Sequence, residues 1–228
     1  MFPAVHLGEA LGAELTRITF LTLAVSGTGT LLASLAGVPL GAWLALHPSR
    51  PARAMRLFAR TLYGMPPVVV GLLVFLLLSR NGPFGAAGLL FTPESMVIAQ
   101  ALLVLPLVLG LTMSAVEAVD PRLRETAESL GARGWMLVRV FLREAREGVG
   151  SAVLVGFGRA VSEVGAVLIV GGNILFHTRV LTTAIVEETE AGQTSFALLL
   201  GAVLLLLALM TTALVGAMER RGRDATAG

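Results

Sequence analysis

The chain lacks two residue types on which many enzymes and nucleotide-binding proteins depend. It has no cysteine, which excludes disulfides, thiolate metal sites and a cysteine nucleophile. It has no lysine either, because all 17 basic residues are arginine. A Walker A phosphate loop and Schiff-base chemistry both require lysine, so this chain carries neither.

Charge is also scarce in this sequence. Charged residues make up 14% of the 228 residues and hydrophobic residues 55%, whereas a soluble domain carries about 25% charged residues. A single core cannot enclose that apolar surplus, because a soluble chain also needs a polar surface. The composition therefore predicts an integral membrane protein. The net charge of +2 does not indicate nucleic-acid binding, because the arginines lie in loops beside apolar runs.

Apolar runs long enough to cross a bilayer, about 20 residues each, predict five transmembrane helices. Four runs contain no charged residue, and the other contains only Arg159 and Glu163. The runs are residues 18–46, 61–79, 95–116, 149–172 and 191–218. The first and last are longer than a crossing needs, so we expect them to tilt, protrude or break. Pro39, with Gly37 and Gly41, is the candidate break in the first run.

The arginines predict the orientation. Thirteen of the 17 fall after the first, third and fifth runs, and only Arg17, Arg80 and Arg179 fall on the other side. The positive-inside rule then places the N-terminus outside an inner membrane and the C-terminus in the cytoplasm. We expect the first run to be retained as a span, because no basic segment precedes it. No linker divides the chain, so we predict one membrane domain over residues 1–228.

The loop 117–148, cytoplasmic in this topology, contains a short helix with clear ends. Asp120 is a good N-cap, Pro121 suits the first helical position, and Gly131 suits a left-handed helix end. Apolar residues recur on one face at helical spacing: Leu123, Ala127 and Leu130. A helix of about ten residues is not stable alone in water, so we expect it to dock on other structure.

A second amphipathic segment follows this helix. Arginines and Glu147 occupy one face, which predicts a helix along the membrane surface with arginine near the lipid phosphates. The arginines are Arg139, Arg143 and Arg146, and the apolar face is Trp135, Val138, Phe141, Leu142 and Ala145.

The stretch Glu125-Thr126-Ala127, three further residues and Gly131 resembles the E-A-A-x-x-x-G loop of ABC importer permeases. The resemblance implies an all-α type I permease fold whose short coupling helix sits in a cleft of a separate cytoplasmic ATP-binding subunit. That subunit would bind ATP and Mg. The implied contact residues are Arg122, Arg124, Glu125, Ala127, Glu128, Leu130 and Gly131. The family's following Leu-Pro is absent, since Arg143 and Glu144 stand there. The alternative is a solvated amphipathic loop.

The charges of the fourth run are costly in a bilayer, roughly 3 kcal/mol each, so they should face protein or water. Arg159 and Glu163 are four residues apart and would share one face of a continuous helix. Two interpretations stay open: an ion pair that fixes helix packing, or a polar lining of a substrate path. Small residues at Gly156, Gly158, Ser162 and Gly165 would let another helix approach.

The segment Ser162-Glu-Val-Gly-Ala, then Gly-Gly-Asn173-Ile and Thr178-Arg, resembles the oxyanion branch of these permeases. Ser162 and Val164 make it more similar to tungstate members than to molybdate or sulfate members, which stay alternatives. The resemblance implies a second copy of the chain, an extracytoplasmic binding protein and surrounding lipid as partners. Candidate path residues are Arg159, Ser162, Glu163, Gly165, Asn173, Thr178 and Arg179, with further hydroxyls from Thr182 and Thr183. We expect the acidic residues 187–190 to face a docking protein.

Competing functions find less support in the residues. The three histidines, His6, His47 and His177, have no metal-ligand spacing, so no metal site is predicted. An intramembrane hydrolase would need a nucleophile and a base at membrane depth, and Ser162 beside Glu163 is the one candidate. No catalytic residue is therefore predicted. A membrane scaffold without a transport path is the third alternative.

Overall fold

A computed structural model describes the backbone of residues 4–47 and 49–226, with side chains except those of residues 4–11, 51, 52, 60 and 219–226. Within these ranges the chain is helical and has no strand, which confirms the all-α class. The side chains of His6, Arg60, Arg220, Arg221 and Arg223 lie outside the described residues. The described helices are α1 (Ala4–Leu46), α2 (Arg50–Leu62), α3 (Pro67–Leu78), α4 (Pro93–Glu117), α5 (Pro121–Ser129), α6 (Trp135–Glu144), α7 (Arg146–Val161), α8 (Gly165–Gly171), α9 (Leu181–Glu190) and α10 (Thr194–Thr226).

Three helices of the described ranges are long and apolar enough to cross a membrane: Gly12–Leu46 of α1, all of α4, and Thr194–Met218 of α10. The pair α7 and α8 is a fourth candidate, broken by a bend of 59°. The predicted span 61–79 contains the last two residues of α2 and all of α3, and the 12 residues of α3 extend about 18 Å, less than the hydrocarbon thickness. Pro67 explains the late start, because it holds Pro66 in an extended conformation (ψ 127°) and prevents α2 from continuing into α3.

The candidate break in α1 is wrong, because the helix runs from Ala4 to Leu46 through Pro39. The neighbouring glycines instead allow α4 to pack closely. A Cβ on Gly41 would lie 2.5 Å from the Leu109 carbonyl oxygen, and one on Gly37 would lie 3.2 Å from the Leu109 nitrogen. Small residues serve the same purpose in other membrane helix pairs.

The chain divides into two compact units, each built from three segments. The first comprises Met1–Gly29, Pro66–Gln100 and Ala160–Leu209. The second comprises Thr30–Met65, Ala101–Arg159 and Met210–Gly228. The prediction of one permease domain stays a prediction.

Apolar packing within the first unit includes a helix pair and a buried cluster. Helix α3 packs on α8, where a Cβ on Gly71 would lie 2.7 Å from the Cα of Ala166. A buried cluster joins α1, α9 and α10 through Ile18, Leu181, Ala184 and Leu200.

The second unit has its main core where α1 and α4 end. Its members come from α1, α4, α5, α6 and the turns that follow α5 and α6. They are Ala42, Leu46, Val116, Ala127, Ala132, Leu137, Val138, Phe141 and Ala145. A smaller cluster places Ala59 of α2 against Leu44, Leu109 and Met113.

Candidate functional site

The N-terminal end of α5 forms as its sequence predicts. The Asp120 side chain accepts a hydrogen bond of 2.9 Å from the backbone N–H of Arg122, which satisfies one of the free donors of the first turn. Pro121 occupies the first helical position, where its missing N–H costs nothing. The N-cap prediction is therefore confirmed.

The C-terminal end of α5 is closed by a Schellman motif centred on Gly131. Gly131 has φ +86° and donates to the Glu128 carbonyl at 3.0 Å, while Ala132 donates to the Ala127 carbonyl at 2.8 Å. Leu130 is the C-cap and is 82% exposed, so it does not continue the buried face on which Ala127 lies. The helix has already ended at Ser129, and the chain turns away.

Helix α5 is fixed to the rest of the second unit by its buried face and by one arginine. Ala127 and Ala132 lie in the main core. Arg124 donates from Nη1 to the Leu46 carbonyl at 3.0 Å and from Nε to Glu128 Oε1 at 2.8 Å. The docking predicted from the shortness of the helix is thus present within the chain.

The predicted coupling residues divide into two groups. Ala127 is buried and Arg124 is half-buried with its guanidinium bonded inside the chain, so both hold α5 in place. The remaining ones are exposed, as are Trp135 and Met136 of α6. The exposed members of the predicted set are Arg122, Glu125, Glu128, Leu130 and Gly131.

Helix α6 does not present its apolar face to a membrane. Leu137, Val138 and Phe141 are buried in the main core, and Trp135 and Met136 are the exposed apolar residues. The prediction of a surface helix at 135–145 is therefore wrong in its buried face, because protein already covers that face. Arg139, Arg143 and Arg146 line an open hollow of about 630 Å³.

The arginine-rich loop predicted after the first span is largely a helix, α2, and its Arg56 is a site residue that the sequence reasoning missed. Arg56 donates from Nη1 to Glu117 Oε1 at 2.8 Å. Its Nη2 donates to the Ala45 carbonyl at 3.1 Å and also to the Leu44 carbonyl. The signal was the spacing of four arginines at every third or fourth position, which is helical as well as basic.

Two arginines therefore close the C-terminal end of α1. Arg56 binds the carbonyls of Leu44 and Ala45, and Arg124 binds that of Leu46. The last carbonyls of a helix have no partners within the helix, and they carry its partial negative charge. This arrangement joins α2 and α5 to the same helix end.

The break between α7 and α8 lies at residues 162–164 of the fourth run. Buried Glu163 accepts a hydrogen bond of 3.1 Å at Oε1 from the backbone N–H of Ala166, in the first turn of α8. Thr182 donates to the Glu163 carbonyl at 2.7 Å, and Gln100 donates to the Ala160 carbonyl at 3.1 Å. Side chains thus satisfy backbone groups that a continuous helix would pair.

The break changes the argument that pairs Arg159 with Glu163. Four-residue spacing places two side chains on one face only in a continuous helix, and α7 ends at Val161. The four-residue spacing therefore no longer shows that the two charges share a face. The ion pair that fixes helix packing and the polar lining of a substrate path both remain predictions. Ser162 is exposed, and Gly165 begins α8 with Val68 packed beside it.

The turn after α8 is rigidly hydrogen-bonded. The Ile174 carbonyl accepts from the backbone N–H groups of His177, Thr178 and Arg179 at 2.9–3.2 Å. The buried Thr178 hydroxyl donates to the Gly171 carbonyl at 2.6 Å and accepts from the Ile174 N–H at 2.9 Å. Asn173 (φ +48°) and Phe176 (φ +61°) adopt left-handed conformations that are uncommon outside glycine.

Arg179 is nine-tenths buried and lies among three carboxylates. Its guanidinium is 2.6 Å from Glu187 Oε1 and 3.6 Å from one oxygen of both Glu14 and Glu188. The Asn173 amide donates to the second oxygen of Glu187. Three carboxylates therefore offset the positive charge of Arg179, and its place in a path stays a prediction.

The remaining predicted polar donors also have local partners. Thr183 accepts from the Val180 N–H at 3.1 Å and caps α9, and Thr182 is bonded to the Glu163 carbonyl. These hydroxyls stabilise the irregular backbone between α7 and α9. Among the described residues there is no group of three His, Asp or Glu residues that could hold a metal ion.

Comparison with known proteins agrees with this architecture. A family model described as a binding-protein-dependent transport system inner membrane component matches residues 37–224. A probable anion ABC transporter permease protein of Haloferax volcanii is 41% identical over 97% of this chain and 96% of its own length. The tungstate uptake system permease protein TupB of Peptoclostridium acidaminophilum is 39% identical over 95% of both chains.

A solved structure shares the fold. The crystal structure of an amino acid ABC transporter with histidines aligns with a TM-score of 0.64 at 18% identity, over 97% of this chain and 99% of that chain. The family match and the two relatives together show that this chain belongs to the binding-protein-dependent inner membrane components, the permease subunits of ABC transporters.

Proposed function

We propose that the chain is the path-forming subunit of an ATP-driven oxyanion importer and that α5 is its coupling helix. The observation that carries the proposal is the form of α5. It is closed at both ends by Asp120 and Gly131, anchored by Ala127, and exposed along Glu125, Glu128 and Leu130. A separate cytoplasmic subunit would bind ATP and Mg and contact the exposed side of α5. Movement of that subunit would be transmitted to the permease through the buried side of the helix.

The arginine distribution supports the orientation that this coupling needs. With the N-terminus outside and the C-terminus in the cytoplasm, α5 faces the compartment that contains ATP. A cysteine at Glu125 tests the topology, since the chain has no other cysteine. It should react with an impermeant thiol reagent in inverted vesicles and not in intact cells. Labelling in intact cells would refute this orientation.

The transport unit would contain two copies of the chain around a two-fold axis, with an extracytoplasmic binding protein on the outer side. Helix α10 supports a partner or lipid on its surface, because large apolar side chains along its length are exposed. They include Leu198, Leu205, Leu206, Leu209 and Leu214.

The substrate would be a tetrahedral oxyanion, with tungstate as the first choice and molybdate or sulfate as alternatives. Two observations support this choice: the Ser162-Glu163-Val164 sequence, and the similarity to one relative named as an anion permease and another named as a tungstate permease. Proteoliposomes that contain the permease, its ATP-binding subunit and the cognate binding protein should take up tungstate in preference to molybdate and sulfate. A preference for sulfate would refute the substrate assignment while leaving the importer assignment intact.

The coupling assignment has its own test. Co-expression with the ATP-binding subunit should give a complex whose hydrolysis depends on this chain. Scrambling residues 121–131 should abolish that dependence, because it removes Pro121, the Ala127 anchor and the Gly131 turn. The matched control is the double substitution A86S/A87S, which changes two exposed residues of the 3-10 helix Gly85–Ala87 and should leave the dependence unchanged. If the scrambled 121–131 variant still forms a fully stimulated complex, α5 is not the coupling helix.

A further inference from the structure

Helix α2 leaves an apolar face uncovered while its other sides are arginine-rich. At 100° per residue, Met55, Phe58 and Leu62 share one face, and Arg50 and Arg53 lie on the opposite side. Met55 is 46% exposed and Phe58 is 60% exposed, and the side chains of Arg50 and Arg53 are exposed too. Leu57, which lies between the arginines, is the one large apolar residue outside this face.

The protein holds α2 by a different side. Ala59 is buried against Leu109 and Met113 of α4, and Arg56 reaches Glu117 and the end of α1. Packing therefore uses the boundary between the two faces and leaves the Met55–Phe58 face free. A helix with a strongly apolar face, a basic face and no acidic residue is typical of segments that lie in the interfacial layer of a membrane.

The apolar surface of α1 leads directly to α2. Leu31, Leu35 and Leu40 are exposed large apolar residues along this membrane span, and Trp43 stacks on His47 at a centroid distance of 4.8 Å near its end. Aromatic residues of this kind mark the membrane–water interface. Helix α2 begins four residues after Leu46, so its start lies next to that interface.

We propose that α2 is an interfacial helix that binds anionic phospholipid, with Met55 and Phe58 among the acyl chains and Arg50 and Arg53 at the headgroup phosphates. Charge complementarity selects anionic lipid, because residues 50–62 contain four arginines and no carboxylate. The assignment to the cytoplasmic leaflet rests on the proposed orientation.

This lipid contact has a structural connection to the coupling helix. Arg56 joins α2 to Glu117, the last residue of α4, and to the same end of α1 that Arg124 of α5 binds. The depth of α2 in the headgroup layer therefore fixes the level at which α5 is held. Anionic lipid is in this way a stabilising ligand of the coupling region.

The depth of α2 can be measured directly with the full-length permease in nanodiscs. Spin labels on single cysteines at Met55 and Phe58 should collide with oxygen, which concentrates in hydrocarbon, more often than with a water-soluble nickel complex. A label at Thr61, outside the apolar face, is the matched control and should show the reverse. Accessibility of residues 55 and 58 to nickel would refute the proposal. Shielding from both reagents would also refute it, by showing that protein covers the face.

Lipid preference is the second measurement. A fluorophore at position 58 should be quenched more by brominated phosphatidylglycerol than by brominated phosphatidylcholine. The relative affinity for the two lipids, obtained from quenching of their mixtures, should favour phosphatidylglycerol by roughly fivefold for each arginine near the surface. The double substitution R50Q/R53Q should lower the preference strongly, whereas R80Q, which removes an exposed arginine elsewhere in the chain, should retain it. An unchanged preference in R50Q/R53Q would refute the anionic-lipid site. Neither readout depends on transport, so this proposal and the proposed function fail separately.

Discussion

Replacing Gly131 with alanine tests whether the end of α5 must keep its shape. Gly131 has φ +86°, and a Cβ added there would find nothing within 4 Å, so the substitution causes no clash. The cost is the left-handed conformation alone, about 1–2 kcal/mol for a residue with a Cβ. In G131A the strained turn opens in the free permease and must re-form on the ATP-binding subunit. Since 1.4 kcal/mol corresponds to tenfold, that re-forming cost lowers the affinity of the permease for its ATP-binding subunit by up to roughly 5- to 30-fold.

Asparagine at the same position should cause a smaller loss. Its side chain tolerates the left-handed conformation better than alanine does. We therefore expect affinity and stimulated hydrolysis to decrease in the order Gly131, G131N and G131A. Titration of the ATP-binding subunit onto permease in nanodiscs measures the first quantity, and phosphate release measures the second.

Gly88 provides a matched control for this experiment. It has φ +63°, nothing lies within 4 Å of its Cβ position, and it follows the 3-10 helix Gly85–Ala87, far in sequence from α5. G88A should lower the melting temperature about as much as G131A and leave the affinity for the ATP-binding subunit unchanged. Wild-type affinity in G131A, or an equal loss in G88A, would show that the shape of the α5 end is not what the partner requires.

Three further substitutions test the break between α7 and α8, the carboxylates around Arg179, and the contact of α3 with α8. E163A should destabilise the protein by about 1–3 kcal/mol because the Ala166 N–H loses its acceptor, whereas E163Q keeps an acceptor; wild-type stability of E163A in a detergent melt would contradict this role. R179M should lower the free energy of unfolding by about 3–5 kcal/mol, because it leaves three carboxylates without their cation. Normal stability together with lost oxyanion uptake would instead indicate that Arg179 is a path residue. G71A should lower the free energy of unfolding by about 1–3 kcal/mol, because its Cβ forces α3 away from Ala166. G201A, with open space around it, should lower it far less. Equal melting temperatures of the two variants would contradict the close approach of α3 and α8.

Local patterns predicted the ends of helices well. The Asp120-Pro121 start and the Gly131 end of α5 follow from residues within one turn of each other, so no long-range information is needed. The same holds for the long apolar runs that form α4 and α10, because hydropathy alone identifies a span of that length. The error at 61–79 was also local, since Pro66 and Pro67 interrupt an otherwise apolar run.

The polar chemistry was less predictable, because its partners are distant in sequence. The sequence predicted the Thr182 hydroxyl as a donor along a substrate path, but in the structure it donates to the Glu163 carbonyl. Gln100 and Arg56 carried no motif, yet both bind backbone carbonyls that only the fold brings near them. Periodicity likewise identified the amphipathic face of α6 without revealing whether lipid or protein covers it.

The closure of α5 at both ends has an energetic consequence for the transport cycle. Ordering a peptide costs about 1–2 kcal/mol for each residue. A loop of nine residues that folded only on contact would lose this amount of binding free energy for every residue that it orders. Because Asp120 and the Gly131 turn already hold the helix, an ATP-binding subunit that docks on α5 would bind a preformed helix. Under the proposed coupling, little of the free energy of association would be spent on ordering α5, and the rest would be available to displace the ends of α1 and α4.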